Sequence, residues 1–371
     1  MTARVKVKEN IFTSNMQLSR RLLQRLAILY QSKLPPLVNG IQKPMKPGGY
    51  SDSGADIAYQ LQKFKVPIIT ANSVPSVDQD FDWVFPDNKE GITEALKKGA
   101  TCFWLNTVLY KGHPVESFFG KDIEFVGQLP NNLDKYDDKM LTSGLLKANG
   151  LSVQPQRLVS IQQMCDLPQD FHFPSIIKPV RGRGSQGVVV VRNQEEMNEQ
   201  LNRLFSAKEF GNALYTENYL EGQEITVTVM PPGRYFIGNK TVEKSTPWSL
   251  PAVKRFNHIN GIAPSNGDVA VSENSSILED HELESKEIQI VYAECEKAFS
   301  LVGARAPIRI DSRADEEGKY WLLDLNMKPN ITGACRPHRQ NQDSLTAIAA
   351  RKIGWSYGDL LMNIHQQRWK Y

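Results

Sequence analysis

The chain has 371 residues, more than twice the roughly 150 of a typical domain, so two or three packed units are expected. Its 44 Lys and Arg against 41 Asp and Glu leave a formal charge of +3, too small to make nucleic acid the expected partner. Apolar residues make up 40% and no apolar run approaches the roughly 18 that would span a bilayer, which argues against disordered, collagen-like and membrane-integral chains.

The first 49 residues hold nine Lys or Arg and one acid, a balance that organellar transit peptides share. Against import, residues 15–32 place Leu18, Leu22, Leu23, Leu26 and Leu29 at helical spacing, which predicts the first helix of a domain. A helix starting at Ser51 carries Ile57, Ala58, Leu61 and Phe64 on one face, and VPIIT (66–70) reads as a buried strand. Residues 88–98 read as a helix, and 101–105 and 123–127 as strands. Residues 1–128 are therefore expected to form an α/β domain with an open, mainly parallel sheet. The character changes near residue 129. A helix over 137–149 ends at Gly150, strands follow at 175–179, 188–191 and 225–230, and helices at 194–205 and near 284–302. A strand pair and a final helix over 343–353 complete this α+β part. The four cysteines, Cys102, Cys165, Cys295 and Cys335, form no CxxC pair, so reduced thiols in the cytoplasm are expected rather than disulfides or a zinc site.

Three segments carry chemistry. Gly182-Arg183-Gly184-Ser185-Gln186-Gly187 matches GxGxxG, but Val188–Val191 after it is a strand, whereas a dinucleotide fingerprint must open a helix. Kinase motifs are also absent. What remains is a glycine-rich hairpin whose N–H groups could cover phosphates beside Lys178, or a plain tight hairpin with a surface lysine. In the second segment, a two-residue turn at Glu317-Gly318 would place Asp311 opposite Asp324 and Arg309 opposite Asn326 on one face. Ile310, Leu323 and Leu325 would then go to the core. Two carboxylates, an amide oxygen and an arginine suit Mg²⁺ carrying phosphates, although a solvated charged face has the same pattern. The third segment, Tyr215 to Glu224, could bind adenine and ribose, or its acids simply flank a turn.

In this order, with Pro329-Asn330-Ile331-Thr332-Gly333 after the DxN, these elements resemble an ATP-grasp enzyme of the D-alanine–D-alanine ligase-like branch, from about Asn131 onward. The resemblance implies an ATP-grasp domain of two α+β subdomains, 129–216 and 217–371, with ATP between them. Lys139 and Lys178 would hold ATP phosphates, and Gly184, Ser185 and Gly187 would belong to the closing loop. Glu217 and Leu220 would read adenine, and Glu224 the ribose. Asp311, Asp324 and Asn326 would ligate two Mg²⁺ ions, or Mn²⁺. Arg309, Ser185 and Lys254 would be the catalytic set.

The implied activity is ATP-dependent joining of a small carboxylic acid to an amine or amino acid through an acyl phosphate, in specialised metabolism, with no side-chain nucleophile. Related ligases are often homodimers, and neither nucleic acid nor membrane is an implied partner. The chain departs from the family at three places. Asp324 stands where glutamate is usual, and NTVLYKGHPVE (106–116) replaces the HGxxGEDG-like signature. Cys335-Arg336-Pro337-His338-Arg339 replaces small polar residues, so Arg336 or Arg339 is expected to hold a substrate acid. A different acceptor, or an ATP-binding sensor without catalysis, is the alternative.

Overall fold

The computed structural model describes residues 24–38, 40–130, 133–162, 172–264 and 269–371. The expected first helix falls mostly outside these residues, and its described part is corrected: Leu26–Tyr30 forms a strand, β1. LAIL is a continuous apolar run, which is the pattern of a strand covered on both faces. Leu26 and Ile28 pack into one core with helix α1 (Ser51–Lys63), while Ala27 and Leu29 enter another with α2 (Lys89–Lys97).

Around β1 lie β2 (Phe85–Pro86), β3 (Cys102–Asn106) and β4 (Glu124–Val126), all parallel, in the order β4-β3-β1-β2. The expected strand at 66–70 reduces to one parallel bridge between Ile68 and Leu26. Buried Asp87, just after β2, accepts from the Ser32 N–H (2.9 Å), the Thr107 hydroxyl and His113 Nε2 (3.1 Å). His113 Nδ1 accepts from the Val115 N–H, so Nε2 carries the proton. Burial alone would raise the Asp87 carboxyl, but hydrogen bonds from His113, Thr107 and Ser32 hold it below its ordinary 3.8. A depressed carboxyl stabilises the fold above its unfolded value and loses that contribution as pH falls through the folded one. The stability advantage of the native chain over Asp87→Asn should therefore shrink between pH 5 and pH 3, as read from urea midpoints. An advantage that grows on acidification would contradict this.

Helix α3 (Lys139–Ala148), capped by the Asp138 carboxylate on the Leu141 N–H, opens the second part. There β5 (Gln156–Ser160), β6 (Ser175–Pro179), β7 (Val189–Val191) and β8 (Ala213–Asn218) form an antiparallel sheet in the order β5-β8-β6-β7. Helix α4 (Gln194–Ala207) covers it, and Ile177, Val191, Met197, Leu201 and Leu214 give this unit a core of its own.

The third sheet contains β9 (Glu224–Met230), β12 (Trp248–Ser249), β13 (Val253–Arg255), β14 (Ser275–Ile277), β15 (Ile308–Ala314) and β16 (Tyr320–Asn326). Its order is β14-β13-β9-β15-β16 with β12 on β9, and β10 (Gly233–Ile237) pairs with β11 (Lys240–Lys244) as a separate hairpin. Short α5 (Asp280–Leu283) leads into α6 (Lys286–Leu301), whose Ile288, Val291, Cys295 and Ala298 are buried as the stripe predicts. Ile225, Val227 and Ile310 join the same core as Leu29 and Phe103, so this sheet and the first share a hydrophobic interior.

The expected final helix exists as α7 (Leu345–Lys352) but is not final. Gly354 takes a left-handed φ of +83°, and Ser356 then caps α8 (Tyr357–Gln366), which packs on α1. Strand β17 (Trp369–Lys370) follows and adds antiparallel to β4 in the first sheet. The class read from the sequence holds: an open, mainly parallel α/β sheet followed by antiparallel α+β structure. Cys102, Cys295 and Cys335 are buried free thiols, and Cys165 lies outside the described residues. Among the described residues, no helix is long and apolar enough to cross a membrane.

Candidate active site

Strands β15 and β16 place Asp311 opposite Asp324 and Arg309 opposite Asn326, the expected pairs. They reach that register by another route. The turn has three residues, 316–318, closed by Asp315 N–H to Lys319 O (2.9 Å), with Gly318 at φ +82°. A bulge between Asp311 and Ser312 leaves Leu323 unpaired and restores the register at the site. The bulge also corrects the core assignment: Leu322, not Leu323, is buried beside Leu325.

The carboxylates of this hairpin are matched by cations. Arg309 donates Nε and a terminal N–H to the two oxygens of Asp311, each at 3.1 Å, and the Thr226 hydroxyl donates to the same group at 2.7 Å. Lys139 Nζ lies 2.5 Å from Asp324. Burial would raise the Asp324 carboxyl, but Lys139, Lys178 and Arg309 outweigh it and hold the group below its ordinary value. Arg309 is shifted up, because Asp311 and Asp324 outweigh its burial. No three His, Cys, Asp or Glu residues cluster around a point among the described residues, so any cation here relies on the Asn326 amide beside two carboxylates. Three hard oxygen donors on adjacent strands fit Mg²⁺, with Lys139 and Arg309 balancing the charge.

The glycine segment forms the connection between β6 and β7, as expected. Gly184 and Ser185 both adopt left-handed φ, +56° and +59°, and the Ser185 hydroxyl donates to Ala263 O at 3.3 Å across the cleft. Gly187 has a shaping role: at φ +73° it lies under Phe210, where a Cβ would sit 2.7 Å from the ring. Lys178 and Glu217 are buried and ion-paired, and Gln156 Nε2 donates to the second Glu217 oxygen at 2.9 Å. Leu220 is buried nearby in sequence. Glu224 reaches the cleft and is met by His258 Nε2 at 2.9 Å and by Arg313 at 3.7 Å.

These elements line a cleft of about 670 Å³ that includes Lys139, Ser185, Glu224, Arg309, Asp311, Asp324 and Asn326. Lys178, Gly187, Glu217 and Leu220 lie beside the cleft without lining it, and three further expected residues point elsewhere. Lys254 turns away from the cleft toward Glu282, 3.9 Å off, and its neighbour Arg255 lines the cleft instead. One residue along a strand reverses the face, so this assignment is corrected by a single step. Arg336 is fully buried, with Nε 2.7 Å from Asp56 and a terminal nitrogen 2.7 Å from Asp80. Arg339 shares Asp56 at 3.1 Å and also meets Asp52. Their forks bind this chain's own acids, which corrects the expectation that they hold a substrate acid.

The cleft also gains Lys43, Lys46, Tyr50 and Lys328, none of which the sequence reading selected. Lys43 pairs with Asp137; its burial would lower it, but Asp137, Tyr50 and Asp324 raise it overall. Burial, with Lys46, Arg183 and Lys43 nearby, pushes Lys328 well below its usual range against the pull of Asp52.

A family profile described as D-ala D-ala ligase C-terminus matches residues 144–366. The chain belongs to this family. Among ligase relatives, the D-alanine–D-alanine ligase of Buchnera aphidicola subsp. Schizaphis graminum is 28% identical over 204 residues, covering 52% of this chain and 53% of that protein. The Acinetobacter baumannii (strain ATCC 17978) enzyme of the same name is 27% identical over 239 residues, covering 62% and 66%. The chain thus spans between half and two thirds of the length of the curated relatives it matches. Two solved structures share the fold: Bacillus anthracis D-alanine–D-alanine ligase complexed with ATP (TM-score 0.59, 18% identity, 93% of this chain and 96% of that one) and VanG D-Ala:D-Ser ligase from Enterococcus faecalis (TM-score 0.60, 14% identity, 93% and 99%). The ligase-family match begins within α3 and takes in all of β15, β16 and the glycine loop.

Proposed function

We propose that the chain is an ATP-dependent carboxylate–amine ligase that forms an amide bond through an acyl phosphate. Its substrates would be a small acid or amino acid and an amine or amino acid of specialised metabolism. The observation that carries this reading is the β15–β16 register, which collects Arg309, Asp311, Asp324 and Asn326 in the cleft that the glycine loop borders. Mg²⁺, as one ion or two and with Mn²⁺ a substitute, would sit on Asp311, Asp324 and Asn326 and neutralise phosphate charge.

The chain's own groups do the rest. Lys139 and Lys178 supply fixed positive charge for the phosphates, and Lys178 is held in place by Glu217. Loop N–H groups around Ser185 cover the transferring group and exclude water. The Arg309 fork, oriented by Asp311, faces charge developing on the carbonyl oxygen. Glu224 is the acceptor for ribose hydroxyls, displacing His258 from it.

Mass spectrometry of the chain with ATP, Mg²⁺ and pooled acids and amines, with phosphate release read in parallel, tests the reading. An ATP-dependent product of mass acid plus amine minus water is expected. ATP binding without phosphate release in every pool would instead favour a non-catalytic sensor, the reading that Asp324 in place of glutamate keeps open. Lys139→Met should weaken ATP binding about tenfold, roughly 1.4 kcal/mol, as measured by competition against a fluorescent nucleotide. Unchanged affinity would remove Lys139 from the phosphate site.

A further inference from the structure

Three cations converge on one aromatic ring at the end of the cleft formed by residues 43–50, and a fourth lines the cleft beside them. Lys46 Nζ lies 5.6 Å from the Tyr50 ring centroid, the Arg183 guanidinium carbon 5.7 Å and Lys328 Nζ 3.2 Å. Lys43 lines the same cleft. Two of the four are matched, Lys43 by Asp137 and Lys46 by Asp52, and Asp52 is already shared with Arg339. Arg183 and Lys328 meet no acid within ion-pair distance among the described residues. The Lys328 Nζ is buried and has no hydrogen-bond partner among the described residues.

A single ring offsets little of this charge, because a cation–π contact contributes only about 0.5–2 kcal/mol. A buried amine donor without an acceptor is costly and marks a place where an acceptor binds. Tyr50 itself adopts φ +68° beside Gly48 and Gly49 at +71° and +58°. Bulky residues rarely occupy this region, and such strain concentrates at ligand clamps.

We infer that Lys43, Lys46, Arg183 and Lys328 around Tyr50 form a subsite for an anionic side group of the acid substrate, a carboxylate or phosphate additional to the carboxyl that reacts. The inference rests on the ligase reading and narrows its substrate class. Residues 43–50 lie outside the two subdomains between which ATP is expected, and the nucleotide-side cations Lys139, Lys178 and Arg309 have their own acids. Arg183, from the glycine loop, and Lys328, two residues past Asn326, both reach the Tyr50 ring on this outer side, which assigns the unmatched pair to the substrate end. A substrate with a neutral side chain, such as alanine, would leave it unanswered.

Calorimetric titration of the full chain with alanine, glutamate and O-phosphoserine tests this, with and without Mg²⁺ and a non-hydrolysable ATP analogue. At least one anionic amino acid should bind ten or more times tighter than alanine, and comparing glutamate with phosphoserine separates carboxylate from phosphate. In Lys328→Met the preference should fall below twofold while affinity for the ATP analogue changes less than twofold. Arg183→Gln, in the exposed loop, should act in the same direction and serves if Lys328→Met does not fold. Equal affinities, no binding by any of the three amino acids, or a parallel loss of nucleotide affinity would overturn the inference. The last result would give the cluster to ATP phosphates. Failure of the analogue to bind would instead sink the ligase reading, and the nucleotide-free titration would still decide the subsite.

Discussion

Asp324→Asn should lower ATP-dependent phosphate release by about 10³-fold, roughly 4 kcal/mol of barrier, while the chain stays folded. The substitution keeps shape and removes one charge at the point where β16 meets Lys139. Two effects add. The hard-oxygen set falls to one carboxylate and two neutral oxygens, which weakens a divalent cation. Lys139, relieved of its partner, is also no longer held toward the proposed phosphate position. Asp324 is partly exposed at the cleft, so water can take over part of what Asn loses and the fold should survive. Phosphate release against Mg²⁺ concentration is the measurement, with circular dichroism as the control for folding. Wild-type release with unchanged Mg²⁺ dependence would remove Asp324 from the metal site. Asp324→Glu, which restores the family's usual length, should retain most of the activity.

The second large effect is on stability. Asp56, on α1, and Arg336 are both without exposed surface, and Arg339 and Thr332 bond to the same carboxylate. Arg336 is held up in pKa, because Asp56 and Asp80 outweigh the opposing effect of burial. Removing Asp56 leaves Arg336 with only Asp80 and Arg339 with only Asp52 as acid partner, a loss of about 3 kcal/mol. Asp56→Ala should therefore shift the urea midpoint strongly at unchanged slope, and Asp56→Ala with Arg336→Met should recover a large part of the loss. Because Arg336 touches no cleft surface, Arg336→Met assayed well below its melting point should keep the KM of the acid substrate. A raised KM with little stability loss would return Arg336 to a substrate role.

These two cases show what local sequence carries. The RxD and DxN pairs could be read because strand alternation and a short hairpin place them within one supersecondary unit. The turn is one residue longer than the pattern predicts, and the bulge at Leu323 offsets it by one in the opposite sense, so the site register survives. The glycine hairpin was readable from its flanking β-branched run. Lys254 against Arg255 was not readable, since two adjacent cations on a short strand do not show which one faces inward. The role of Arg336 is not legible locally, because its partner, Asp56, lies on a helix far away in sequence. The cluster around Tyr50 joins three distant segments for the same reason, and no local pattern marks it. In the described part of the expected first helix, Leu26 and Leu29 stand three apart in a run, LAIL, that is apolar throughout, and packing on both sides of a parallel sheet overrides helix propensity there.

Strand β17 has a consequence for how the chain is made. The sheet begun by Leu26 receives its outer strand from Trp369 and Lys370, and Trp369 Nε1 donates to Gly127 O at 2.8 Å. During synthesis at about 5–20 residues per second, the edge of β4 therefore waits tens of seconds for its partner. Through that interval an unpaired parallel edge is open to pairing with other nascent chains. The yield of folded protein should thus depend on translation speed and on chaperones that shield that edge, and a fragment ending near residue 129 should aggregate where the full chain does not.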